Sequence, residues 1–465
     1  MFAMLRIANA AGFLGDRLDA PRRLVESAEV DYLTLEYLAE LTLSILARQR
    51  EKDPRAGYAG DFLDVLASLR GAMSAQPRLR IVTNAGGMNP TACVAKAAEI
   101  LADAGLGETP LGCVTGDDLL PRLDALRADG CEFTNLDSGA PLSSLAAPIV
   151  SANAYLGAAP IAAALGEGAR IVVTGRVADA SLTVGPAVHA FGWKWDDHAH
   201  LAAASVAGHL IECGAQATGG YSTNWEGARL ADVGYPIAEL EADGGCVITK
   251  PAGSGGRVDR QSVVEQLVYE IGDPRHYLTP DVDVDFTTVE VAQVGDDRVA
   301  VFGATGRAAP GEYKVSLAYR DGYLASGQLL VYGRDCLEKA RAVAEMIFTR
   351  VARNGHQLAR TNVELLGGGD GVPSTRQACP ESPPEVLLRV TAHAPRREAV
   401  EEFARQIAPL ITSGPAGLAG YAAGRPVVRP VFAYWPTTVP RSRVEARCVV
   451  RTAAEWLAAR DSSSS

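Results

Sequence analysis

Short β-branched apolar runs alternate with longer stretches of helical period over the first half of the chain. The runs are LRIA (5–8), DYLTLE (31–36), RLRIVTN (78–84), LGCVT (111–115) and ARIVVTG (169–175). Between them lie stretches such as PTACVAKAAEILADAG and DDLLPRLDALRADG, whose apolar positions recur three and four apart. That alternation predicts a mostly parallel, doubly wound sheet flanked by helices, because parallel neighbours need long crossovers. A closed barrel is the competing reading and needs eight such units.

Near residue 222 the period changes. EADGGCVITKP, DVDVDFTTVEVAQVGDDRVAVFGATG, EYKVSLAYRDGYLASGQLLVYG and EVLLRVTAHA alternate apolar and polar positions, with Gly and Asp at their turns. An antiparallel sheet with one covered face is expected. Two helical patterns interrupt it, RDCLEKARAVAEMIFTRVARNG and REAVEEFARQIAPLI. The chain therefore reads as an α/β domain over 1–221 followed by an α+β domain over 222–460. The Gly- and Pro-rich stretch at roughly 366–384 reads as a loop or linker.

The strand runs end in one recurring local chemistry. Gly12, Gly15 and Asp16 follow the first; Gly86, Gly87, Asn89 and Pro90 the third; Gly116 and Asp117 the fourth; Gly175, Arg176, Asp179 and Ser181 the fifth. Gly permits the turn, Asp or Asn caps the new helix, and Pro suits its first turn. In open α/β sheets these carboxyl-end loops form the ligand crevice. The 84–90 turn either presents backbone N–H groups to an anion or is simply a turn that needs two glycines. Arg176 and Asp179 either recognise a carboxylate and move protons, or close their own turn as an ion pair. Gly12-Phe-Leu-Gly15 lacks the third glycine of a dinucleotide fingerprint, and no P-loop is present.

The densest chemistry is His209, Glu212, Cys213 and Gln216 in AHLAAASVAGHLIECGAQATGG. On a helix the spacings i, i+3, i+4 and i+7 put all four on one face. The other positions are apolar or small, which predicts a buried helix. Buried polar groups require partners, so the stripe faces either other polar side chains or a ligand cavity. Gly208 and Gly214 would let another backbone or a ligand approach closely.

A net charge of −11 opposes nonspecific nucleic-acid binding. No apolar run is long enough to span a bilayer. None of the eight cysteines forms a Cys-x-x-Cys pair, so neither a zinc knuckle nor a dithiol redox motif is expected. MFAMLRIANAAGFLGDR is unlike a secretory leader. Reduced thiols and a cytoplasmic, homo-oligomeric protein are therefore expected, with no metal.

GDRLDAPRRL, DYLTLEYLAELTL, NAGGMNP, VTGRVADASL, GHLIECGAQATGG, GYPIAEL and YEIGDPRHYLTPDV occur in this order. Together they resemble the acyclic terpene utilisation family, the AtuA-like proteins, over roughly residues 5–345, and GPAGLAGYAAGRP near 414–426 also looks familial. The resemblance implies a place in the degradation of acyclic terpenoids through CoA thioesters, and it carries no catalytic residue with an assigned role. Longer members have an additional ferredoxin-like C-terminal domain, which this chain is expected to lack.

Residues and resemblance together suggest an enzyme acting on a branched, terpenoid-like acyl-CoA or related carboxylic substrate by lyase or hydratase-type acid–base chemistry. Asn84, Gly86, Gly87, Arg176, Ser181 and Gln216 would hold the substrate. Glu212 or Asp179 would move protons, with His209 beside them. Cys213 would be a nucleophile, a proton donor or a small apolar filler. No cofactor is expected, and CoA would enter only as part of the substrate. The competing classes are a noncatalytic acyl-binding or assembly subunit and a metal-dependent hydrolase using His209, Glu212 and Asp179.

Overall fold

The computed structural model describes residues 4–372, 374, 382–420 and 424–463. The five apolar runs form strands Met4–Asn9, Tyr32–Leu35, Arg80–Thr83, Pro110–Thr115 and Ile171–Thr174. All are parallel, and their spatial order is first, second, third, fifth, fourth. The chain thus winds outward to its fourth strand, then turns back to fill the slot beside the third. Right-handed crossovers place helices on opposite faces when the winding direction reverses. Helices Ala20–Ser27, Asp61–Ala75 and Pro90–Asp103 pack in succession on one face, over Leu33, Leu35, Ile81 and Val173. Helices Ala159–Gly166, Ser181–Phe191 and His198–Glu212 pack in succession on the other. The α/β expectation is met for these five strands, although the sheet they belong to is mixed rather than mostly parallel.

The sheet is larger than the parallel runs alone. Strand Ile237–Glu241 pairs antiparallel with Met4–Asn9, and Cys246–Thr249, Arg298–Phe302 and Glu290–Gly295 continue outward from it. At the opposite edge Arg447–Thr452 pairs antiparallel with Pro110–Thr115. The result is one mixed, ten-stranded sheet. The expected boundary at 221/222 therefore separates strands that share hydrogen bonds. Alternation identifies an antiparallel strand but not the sheet whose edge it extends. The compact units are Met1–Ala318 with Tyr434–Ser465, and Tyr319–Ala433.

The second unit holds the two expected helices, Cys336–Arg353 and Arg397–Ile407, on an antiparallel sheet. Strand Glu312–Tyr332 lies between Glu385–Ala394 and Leu418–Ala419, and Arg360–Leu366 flanks Glu385–Ala394. Strand, helix, strand, strand, helix, strand in this order is the split β-α-β arrangement of ferredoxin-like folds, so a ferredoxin-like unit is present where none was expected. Its core is Leu329, Val343, Ile347, Leu388, Val390 and Phe403. The expected 366–384 linker and the 414–426 motif fall partly outside the described residues, as does Cys379; the other seven cysteines are free thiols.

In the first unit, a small antiparallel sheet of Tyr277–Leu278, Asp283–Asp285 and Thr305–Arg307 packs on helix His198–Glu212. Among the described residues no helix is long and apolar enough to cross a membrane. The same helix approaches the loop after Ile171–Thr174 through Gly208. A Cβ there would lie 2.9 Å from both Cα and O of Ala180, backbone atoms that cannot swing aside. Gly71, exposed within helix Asp61–Ala75, has nothing within 4 Å of such a Cβ. Gly208→Ala is expected to cost about 1–3 kcal/mol of stability by overpacking. Gly71→Ala should add about 0.5–1 kcal/mol through lower backbone entropy. Denaturant unfolding of the two variants tests this; equal effects would sink the close-approach account.

Candidate active site

The loop after Arg80–Thr83 leads to a helix on one face, and the loop after Ile171–Thr174 to a helix on the other. Adjacent strand ends whose connections diverge mark the switch point where α/β sheets bind ligands. Arg176 sits there, 2 % exposed. Its terminal nitrogens donate to Leu38 O at 2.5 Å and to Asp179 Oδ1 at 2.6 Å. Its guanidinium lies 4.0 Å from the Tyr155 ring centroid, a favourable cation–π geometry. Asp117, from the loop after Pro110–Thr115, accepts 2.8 Å hydrogen bonds from Arg176 N and Asn153 Nδ2. Burial nevertheless pushes its carboxyl up to about 6.

Two further carboxyls face this charge. Glu36 follows strand Tyr32–Leu35 and is buried. Its Oε1 accepts from Leu38 N at 2.7 Å and from Asn84 Nδ2, while Oε2 is buried without a hydrogen-bond partner. Glu212 ends helix His198–Glu212, whose last carbonyls accept from Asn9 Nδ2. That side chain, reaching from the end of the first strand, satisfies orphan helix carbonyls and fixes the terminus. Desolvation, then the charge of Asp179, raises both Glu36 and Glu212 well above the ordinary carboxylate range, against an opposing pull from Arg176.

His209 settles where the Glu212 proton resides. Its Nε2 lies 3.0 Å from Gln266 O and its Nδ1 lies 3.2 Å from Glu212 Oε1. A carbonyl oxygen only accepts, so Nε2 carries hydrogen. Burial lowers the His209 value, so the ring is neutral and Nδ1 is a lone pair. Glu212 Oε1–H therefore donates to Nδ1, which leaves Oε2 as a buried, unpartnered acceptor. Tyr277 from the small sheet and Phe286 from the turn after it close on the ring at centroid distances of 5.7 and 5.4 Å. Opposite burial effects on an acid and a base thus favour one neutral hydrogen-bonded pair.

Asp179, Glu212 and Glu270 line two adjoining cavities. The larger, about 630 Å³, adds Arg176, Tyr155, His209, Tyr277 and Lys314. The smaller, about 430 Å³, adds Glu36, Cys213, Gln216 and the tyrosines at 221, 235 and 269. Glu270 holds a left-handed backbone, φ 61°, which costs a non-glycine residue about 1 kcal/mol.

The sequence-derived candidates separate accordingly. Arg176, Asp179, His209, Glu212, Cys213 and Gln216 reach the cavities. Asn84 is buried and holds Glu36 and Tyr37 N. Gly86 and Gly87 are turn residues: added Cβ atoms would lie 2.5 Å from Thr174 O and 2.4 Å from Leu46 Cδ1. Ser181 donates to Asp281 Oδ2 at 2.5 Å. These four are not among the cavity-lining residues. The helix stops at Glu212, and Gly214, at φ 60°, turns the chain into Gly214–Thr218. Cys213 and Gln216 therefore lie beyond the helix rather than on its face, a consequence of the glycine inside the motif. Burial also raises the Cys213 thiol, which makes it a poor nucleophile. Both His209 nitrogens are engaged, and among the described residues no group of three His, Cys, Asp or Glu side chains could hold a metal ion. Glu36, Glu270, Tyr155 and Lys314 were not among the candidates, although Glu36 ends a strand run as the other loop residues do.

A family model, acyclic terpene utilisation family protein AtuA, matches residues 5–450. The chain belongs to that family, and the match extends past the 5–345 region in which motifs carry the resemblance. No curated protein and no solved structure matches it.

Glu36 also gives a pH signature. Its folded-state value is raised above the ordinary 4.5. The stability it contributes is complete below that unfolded value and is lost as pH rises through the folded one. Glu36→Gln keeps an acceptor for Leu38 N and Asn84 Nδ2 but does not titrate. Melting temperatures measured from acid to neutral pH should fall less steeply with rising pH in Glu36→Gln than in the wild type. An identical slope would mean that Glu36 is ionised in the fold.

Proposed function

We propose that this family member is an enzyme that performs lyase or hydratase-type acid–base chemistry on a branched acyl-CoA or related carboxylic substrate. The observation that carries the reading is the buried Glu212–His209 hydrogen bond beside two cavities that Glu212 lines. Chemistry beside a thioester requires a group that takes the α-proton and later returns it near neutral pH. Glu212 is suited to both. Its Oε2 accepts a proton as its Oε1 proton passes to His209 Nδ1, so the carboxyl never carries a full charge in a dry site. The buried imidazolium so formed is disfavoured, which drives the proton back.

Arg176 supplies positive potential where the thioester carbonyl becomes an enolate. Its terminal nitrogens donate to Leu38 O and Asp179, so it acts through its field and not as a two-pronged clamp on substrate. Burial of the guanidinium against the Tyr155 ring strengthens that field. Lys314, which lies 4.8 Å from the Tyr155 centroid in the larger cavity, gives that chamber a second cation. Membership of a terpene-utilisation family supports a branched acyl chain as the remainder of the substrate.

Glu212→Gln preserves shape, and its amide can donate to His209 Nδ1, but it does not transfer the proton. It is expected to lower kcat on a responsive branched acyl-CoA by about 10²–10⁴-fold, with little change in melting temperature. Cys213→Ala should retain activity within about threefold, because a protonated thiol contributes little nucleophilicity. Steady-state kinetics on a panel of branched 2-enoyl and 3-hydroxyacyl thioesters makes the comparison. Loss confined to Cys213→Ala would reverse the assignment, and full activity in both would return the pair to a purely structural role.

Arg176→Lys tests the electrostatic part. Lysine keeps the charge but cannot donate to Leu38 and Asp179 in the same planar geometry. kcat/KM is expected to fall by at least tenfold, with a lower melting temperature. Unchanged kinetics would remove Arg176 from the site.

A further inference from the structure

We propose that Glu36 is a second acid of this site, placing a carboxyl O–H at the smaller cavity to protonate the hydroxyl group that leaves from, or is added to, the β-carbon of the substrate. The assignment rests on the reading of Glu212 above and specifies its substrate class as a 3-hydroxyacyl thioester and its 2-enoyl partner.

The argument begins with which Glu36 oxygen is committed. Oε1 accepts from Leu38 N and Asn84 Nδ2, so it is the carbonyl oxygen of a protonated acid. Hydrogen then lies on Oε2, which is buried and has no hydrogen-bond partner. Glu36 is 5 % exposed and lines the same cavity as Asp179 and Glu212. An orphan donor buried in this way costs free energy until an acceptor arrives. Glu212 presents the complementary atom, an orphan acceptor at Oε2. A substrate hydroxyl both accepts and donates, so it matches the pair. Burial and the charge of Asp179 keep Glu36 protonated, as the role requires.

The atoms balance. The α C–H bond breaks and its electrons become the C=C π bond. Glu212 Oε2 takes that proton while the Oε1 proton moves to His209 Nδ1. The β C–O bond breaks, its electron pair stays on oxygen, and the Glu36 proton completes water. The proton held by Glu212 and His209 returns to Glu36 through the water-sized space of the shared cavity, and both acids are restored. Hydroxide is a poor leaving group, so an acid at this oxygen is what elimination needs. Carbon–carbon cleavage would need the opposite, a base that removes the hydroxyl proton. A carboxyl donor at this position favours dehydration and hydration.

The test uses the full chain and 3-hydroxy-3-methylbutyryl-CoA as probe, in D₂O. Two rates are followed: deuterium exchange at the α-carbon and release of water to the 2-enoyl thioester. Glu212→Gln should lose both. Glu36→Gln should lose water release by about 10²–10⁴-fold, and far less of the α-exchange. Water release at the wild-type rate in Glu36→Gln overturns the assignment to Glu36 and leaves that to Glu212 standing. Equal loss of both rates in a folded Glu36→Gln protein also overturns it. A wild type that catalyses neither reaction overturns the functional reading and this inference together. An infrared measurement remains if Glu36→Gln does not fold. In Glu212→Gln, which keeps Glu36, a protonated-carboxyl band should shift on adding 3-methylcrotonyl-CoA; the absence of such a shift counts against the role.

Discussion

One buried guanidinium facing three carboxyls is the constraint on which the site depends. Arg176 brings one positive charge and pairs with Asp179. With every acid ionised, the cluster would carry an uncompensated double negative charge away from water. Low-dielectric burial makes that state expensive, which raises both glutamates well above the ordinary carboxylate range. The fold enforces this arithmetic because Arg176, Glu36 and Asn84 all stand at carboxyl ends of adjacent parallel strands. Two acids with raised proton affinity thus stand beside a single ion pair, in a place where water would otherwise level the differences.

Positioning comes from elements that do no chemistry. Asn9 clamps the end of the helix that carries Glu212. Asn84 holds one oxygen of Glu36 and leaves the other unoccupied. Asp117 accepts from the Arg176 backbone, and its carboxyl lies where a Cβ on Gly175 would stand. Gly12 lets the first strand-end loop approach Cys213, with a would-be Cβ 2.7 Å from its carbonyl carbon. These contacts bring loops from several strands onto one helix terminus, and two cavities meet there because the terminus projects between them.

The sequence made the parallel strands legible because period and turn chemistry agree at each of them. His209, Glu212, Arg176 and Asp179 were legible for the same reason: each is polar where its neighbours are apolar, or stands at a strand end. Glu36 was hidden inside the strand run DYLTLE, where a final carboxylate resembles an ordinary edge residue. Glu270 belongs to a left-handed turn that no period announces. The joining of the later antiparallel strands to the first sheet was not readable, since alternation carries no information about which edge a strand extends. Nor was the early stop of the helix at Glu212, where one left-handed glycine overrides a spacing that suits a helix.

The strand that closes the sheet has a consequence for how the protein is made. Pro110–Thr115 pairs with Arg447–Thr452, and Trp456 Nε1 donates to Leu111 O across 345 positions of chain. During synthesis that edge therefore waits with its backbone groups unpaired until Arg447–Thr452 has left the ribosome. An unpaired strand edge is a template for association with other chains. The nascent chain is consequently open to mispairing over that span, and the sheet that carries Arg176 is sealed at this edge only once Arg447–Thr452 has been made.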